Sequence, residues 1–172
     1  MATYKVLGIL FLIVMISCNQ SEKKTSKDIQ TNSRQEMEIT KTQGIITKVS
    51  SKSFEETYNT LIEIITNNPN LKIIAQLDHQ ANAASVNLAL NPTRVIMFGN
   101  PKLGTPLMQN SQITGLDLPQ KILIWQDDNG VVNVSYNDPE FLKLRHEITG
   151  KEDVLTIISK ALDNLSKGAT GL

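Results

Sequence analysis

Apolar side chains recur along this chain with two periods, and the period changes where the chain should turn. Phe54, Tyr58, Leu61, Ile62 and Ile65 follow the i, i+4, i+7, i+8, i+11 spacing of an amphipathic helix. This helix opens on Ser53-Phe54-Glu55-Glu56, a capping box in which hydroxyl and carboxylate satisfy each other's orphan amides, and it ends near Asn67-Asn68-Pro69. A period of two takes over afterwards. Leu71, Ile73, Ala75 and Leu77 alternate with their neighbours, as do Val86, Leu88 and Leu90, and Arg94 to Phe98 is a further apolar run after Pro92. Gly44 to Val49 reads as a strand ahead of the helix. Lys121 to Gln126 and Val131 to Tyr136 flank Asp127-Asp128-Asn129-Gly130, whose Asn-Gly favours the left-handed turn of a tight hairpin. Thr149 and Glu152 suggest a second capping box, before Val154, Ile158, Ala161, Leu162 and Leu165 mark a closing helix. The pattern predicts an α+β fold in two layers: a single, mostly antiparallel sheet of five or six strands with helices on one face.

The first 43 residues obey a different rule. Lys5 and the amino terminus supply positive charge, and Val6 to Ile16 form an apolar run diluted only by Gly8. That run is shorter than the ~20 residues a membrane span needs, and its charge, length and small residue before Cys18 are those of a signal peptide. Met15-Ile16-Ser17-Cys18 resembles the bacterial lipobox, in which the thiol is lipidated and becomes the first mature residue. From Asn19 to Gln43 only Ile29, Met37 and Ile39 are aliphatic or thioether side chains, too few to offset the entropy of ordering the segment. The expected organisation is a lipoprotein signal peptide over 1–17, the lipidated cysteine and a polar tether over 18–43, and one domain over 44–172. The expected location is the envelope of a Gram-negative bacterium. Asn19, where an aspartate would favour retention on the inner membrane, points to the outer membrane.

Charge and cysteine content remove several kinds of function. Lys plus Arg and Asp plus Glu are equal, at 17 each, so nothing attracts a phosphate backbone and nucleic acid is not an expected partner. Cys18 is the single cysteine, which excludes an intrachain disulfide and a thiolate metal cage.

Several unusual strings occur in order. Phe98-Gly-Asn-Pro-Lys-Leu-Gly-Thr-Pro-Leu-Met108, Asp78-His79, Asp117-Leu-Pro119 leading into Lys121-Ile-Leu-Ile-Trp125, and Ser135-Tyr-Asn-Asp-Pro139 together resemble the domain of unknown function 302 family. The resemblance spans most of Gly44 to Lys167. It implies a β-α-β4-α domain with an outline similar to TATA-binding-protein-like folds, and it brings no activity with it.

The residues that carry chemistry are few. Gly99 to Thr105 follows a strand and spaces two glycines four residues apart, but the lysine of a phosphate loop is missing and Pro106 removes an amide. Asn100-Pro101 reads as a turn, Gly104 as a position needing an unusual backbone angle, and Thr105 as the cap of a short helix with Pro106 at its first position. A helix N-terminus with Lys102 nearby remains a place for an anion. His79 and His146 are the only histidines, each next to a carboxylate in sequence, and are the weak candidates for a metal site. Asp138 reads as a cap for a helical turn from Pro139, and Tyr136 and Asn137 beside it could orient a ligand. No Gly-x-Ser-x-Gly elbow occurs and the one thiol is committed to lipid, so no catalytic residue is assigned and no cofactor is expected. The expected function is a tethered module holding a small ligand near His79, Asn100, Lys102, Thr105, Tyr136 and Asn137, which requires His79 and Tyr136 to lie within about 15 Å. A domain that docks on another envelope protein is the second reading, and a metal-dependent enzyme the third.

Overall fold

The computed structural model describes residues 44–172, so the expectations for the signal segment, Cys18 and the tether lie outside the described residues. Ser53 opens helix α1 (Phe54–Thr66) with the capping box its spacing predicts: the Glu56 amide donates to Ser53 Oγ, and Glu56 Oε2 accepts from the Ser53 amide at 3.0 Å. Phe54, Leu61 and Ile65 of α1 are buried. They meet Leu155, Ile158, Leu162 and Leu165 of the last long helix, α5 (Glu152–Thr170), over one face of the sheet. Each fully buried leucine or isoleucine here contributes about 1.5–3 kcal/mol relative to exposure.

The sheet has five strands: β1 (Ile45–Val49), β2 (Lys72–Asp78), β3 (Thr93–Gly99), β4 (Gln120–Gln126) and β5 (Val132–Asn137). Their spatial order is β1-β5-β4-β3-β2, and every pairing is antiparallel. Register puts Ile96 beside Ile122 and Ile122 beside Tyr136, and these side chains, with Phe98, Ile124 and Val134, form the sheet's half of the core. The α+β two-layer expectation holds, with five strands. Three shorter helices punctuate the framework: α2 (His79–Ser85), α3 (Pro101–Asn110) and α4 (Pro139–Arg145), with a 3₁₀ turn over Gln112–Leu116. Asp138 caps α4 as expected, accepting from the Glu140 amide.

Four local expectations fail, each for an identifiable reason. Val86, Leu88 and Leu90 are not a strand but an exposed connection. Asp78 accepts from the Ala81 amide and starts α2 instead, and Asn87, at φ +61°, breaks any extended run. The expected β4–β5 hairpin forms, but its connection is a five-residue loop rather than a tight turn, held by Asp127 Oδ1, which accepts from the Asn129 and Val131 amides; within it Gly130 alone takes a left-handed φ, +80°. Helix α3 begins five residues early, because Asn100 is already a cap and Pro101 fills the first helical position, which leaves Thr105 and Pro106 inside it. Gly104 is an ordinary helical residue. Helix α5 has no second capping box: its N-cap is Lys151, while the Thr149 amide donates to Asn110 Oδ1 and Glu152 pairs with Lys143 at 3.2 Å.

Candidate functional site

The strand ends at which β2 begins, β3 finishes and β4 begins are roofed by α3 and by the middle of α5. Between them lies a cavity of about 370 Å³. Leu71, Ile74, Phe98, Leu103, Met108, Leu118, Ile158 and Leu162 supply apolar walls, and Ala161 leaves room on the α5 side. Ile74 reaches the cavity because β2 carries a bulge: Ile73 pairs with Phe98 and Ala75 with Met97, so Ile74 is an extra residue between them.

One polar group is out of place in this lining. Gln120 opens β4 two residues before Ile122 and four before Ile124, on the face those residues bury, and it is only 8 % exposed. Its Nε2 finds no hydrogen-bond partner. Buried amides are nearly always paired, and leaving one unpaired costs about 1–3 kcal/mol. Thr114 Oγ1 is the other such atom among the described residues, and Thr114 does not line the cavity.

Of the residues predicted to gather, the structure brings Asn100 and Thr105 to the rim of this cavity, with Lys102 exposed on the same helix. The anion place at the α3 N-terminus is not there. Pro101 has no amide hydrogen, the Lys102 amide donates to Asn100 Oδ1, and the Leu103 and Gly104 amides both donate to the Asn100 carbonyl. His79 and Tyr136 do not join Asn100. His79 begins α2 beyond the far end of β2, while Tyr136 is 4 % exposed on β5, where Lys48 Nζ donates to its hydroxyl at 3.5 Å. Three strand spacings and three residues along the strand put their backbones about 17 Å apart, beyond the reach of one small pocket. Asn137 follows Tyr136 on the strand and points to the opposite face.

The histidines also stand apart from one another. His146 is buried, and its Nε2 meets Asp117 Oδ2 at 2.5 Å, with Arg145 on the same carboxylate at 3.4 Å. This pair ties the end of α4 to the turn before β4, outside the cavity lining. Among the described residues no group of three or more His, Cys, Asp or Glu side chains could hold a metal ion. A second polar cluster surrounds Arg94. Its Nε donates to Asp78 at 2.8 Å and its Nη1 to Glu55 at 2.9 Å, and the guanidinium lies over the Phe54 and Tyr58 rings at 5.2 and 5.0 Å. The Ala81 amide, helped by Arg94, holds the Asp78 carboxyl below its ordinary range, while burial raises the Tyr58 phenol. One guanidinium holds both carboxylates, which makes the cluster a brace between α1, β2 and β3.

Comparison with known proteins agrees with the architecture. The family profile described as "Domain of unknown function DUF302" matches residues 46–165. A protein named fluoride-specific ion channel FluC 1 from Brucella suis biovar 1 (strain 1330) is 38 % identical over 111 residues, which cover 64 % of this chain and 43 % of that protein. FluC 2 from Brucella melitensis biotype 1 is also 38 % identical over 111 residues, 41 % of its length. The chain thus spans less than half the length of the curated relatives it matches. The crystal structure of an uncharacterized conserved DUF302 protein from Bacillus stearothermophilus superposes with a TM-score of 0.66 at 17 % identity, covering 74 % of this chain and 98 % of that one. At that identity the likeness is one of fold.

Proposed function

We propose that this chain, which belongs to the family described as domain of unknown function DUF302, is a small-ligand-binding module whose site is the cavity around Gln120. The observation that supports this reading is the unpartnered Gln120 Nε2 in a mostly apolar lining. A mostly apolar ligand with one hydrogen-bond acceptor, such as a carbonyl oxygen, would fill the walls and satisfy the amide. A phosphate-like anion is not what the site takes, since the α3 amides are already bonded. Fluoride conduction, named for relatives more than twice as long as the matched region, is not proposed. The cavity walls are mostly apolar, and among the described residues no helix is long and apolar enough to cross a membrane.

The module is carried, on this reading, by a lipid on Cys18 after removal of residues 1–17, with the segment up to residue 43 as its leash in the bacterial envelope. The support is the sequence pattern of the first 18 residues.

Native mass spectrometry of the full chain, released from its host's membranes and compared before and after denaturation, tests the binding. The expected result is an added mass that disappears on denaturation and is absent from an Ala161→Trp protein, whose indole occupies the cavity. Wild-type protein without added mass, or a folded Ala161→Trp protein that keeps it, overturns the proposal.

A further inference from the structure

Among the described residues, no helix packs over the centre of the sheet face turned away from α1 and α5. Register places Leu77, Val95, Leu123, Ser135 and Thr47 in one row across all five strands, with Met97 and Lys121, and Asn137 beside Ile45, on one side of it and Thr93, Trp125, Asn133 and Val49 on the other. No acidic side chain occurs in these rows, and the one basic residue, Lys121, folds its ammonium onto the carbonyls of Asp117 and Pro119. The remaining polar groups at the centre are bonded within the chain, Asn133 Nδ2 donating to the Val131 carbonyl at 3.1 Å and Thr93 Oγ1 to that of Asn91 at 2.9 Å. Trp125 Nε1 donates to Ser135 Oγ at 2.9 Å, and Ser135 Oγ lies 2.8 Å from Thr47 Oγ1.

A solvated sheet face ordinarily alternates with charged residues whose polar groups need water. This one can lose water without orphaning a donor at its centre, while leaving Leu77 42 % and Val49 57 % exposed. We propose that two copies of this chain pack face to face through this surface. Five strands about 4.8 Å apart and five to seven residues long give roughly 450 Å² in projection per copy. Side-chain relief raises the total for two copies to about 1,200 Å², the lower end of what a specific dimer buries. A face whose single ammonium is already bonded within the chain offers little to select a charged partner, whereas it matches itself in width and polarity about a two-fold axis.

The test is co-expression of two full-length copies with different C-terminal tags, capture of one, and quantification of the other. Wild-type copies should recover each other. Val95→Glu in both copies should reduce recovery at least tenfold, and so should Leu77→Glu, whose exposed position leaves the core untouched. Ile157→Glu, an equal charge added to the outer side of α5, should leave recovery unchanged. No recovery of wild type, or equal recovery with Leu77→Glu, overturns the proposal. So does failed recovery combined with retention on neutral liposomes that Val95→Glu abolishes, which would assign the face to lipid. None of these residues lines the Gln120 cavity, so the outcome is independent of the binding proposal.

Discussion

Replacing Gln120 by methionine should make the ligand-free protein more stable. The glutamine is 8 % exposed and its amide nitrogen has no partner, so the folded state carries a desolvation penalty of about 1–3 kcal/mol that the unfolded chain does not. Methionine follows the same unbranched path and has no donor to satisfy, while its lost contacts cost a few tenths of a kcal/mol. The net gain is about 1–2 kcal/mol. For a domain of roughly 130 residues that raises Tm by about 4–7 °C. Thermal and urea unfolding of ligand-free protein measure it, and a Gln120→Met protein no more stable than wild type would refute the reasoning, since the amide would then be holding a bond. The same substitution should weaken retention of the bound mass by about tenfold, the worth of one hydrogen bond. Stability gained with binding lost is the signature of a group placed for something other than folding.

Acid should unfold the protein partly through Asp78. Its folded pKa lies below the ordinary value of 3.8, chiefly through the Ala81 amide and then Arg94. The stability it adds is therefore complete above that ordinary value and disappears as pH falls through the lower folded one. The urea midpoint should hold between pH 7 and about 5 and decline below about 4. Asp78→Asn should start lower and decline less steeply, and an unchanged slope would exclude Asp78 as a contributor. Gly44→Ala should destabilise by at least about 2 kcal/mol in urea titration. Gly44 has φ +83°, and an added Cβ would fall 2.2 Å from Phe141 Cγ. Near-equal stability would mean that Phe141 turns away freely.

The parts of the fold that sequence made legible are those decided within one turn or one strand. Ser53 and Glu56 specify the start of α1 by themselves, and the alternation from Lys121 to Tyr136 specifies the β4–β5 pair. Val86, Leu88 and Leu90 misled because alternation counts only when a neighbouring strand exists, and Asp78 had already committed the chain to a helix. Thr149 and Glu152 have the spacing of a box, but Asn110, 39 residues earlier, takes the Thr149 amide. The cavity was beyond local reading, since Leu71, Leu103, Gln120 and Ala161 meet only in three dimensions. Its signal was nevertheless present: Gln120 stands in the i, i+2, i+4 series with Ile122 and Ile124, a polar residue in a core-facing position. His79 and Tyr136, two of the six residues expected to gather, are candidates by side-chain type alone, which says nothing of distance across a sheet.

The bulge at Ile74 does more than shape the cavity. Strand β2 is an outer strand, and its unpaired backbone edge is the kind of surface on which another chain can extend a sheet into a fibril. An extra residue between Ile73 and Ala75 spoils the even spacing that such growth needs. The five residues of β1 leave little template at the opposite edge. The distortion that admits Ile74 to the cavity therefore also protects the molecule from aggregation, and a chain lacking Ile74 would lose its lining and its safeguard together.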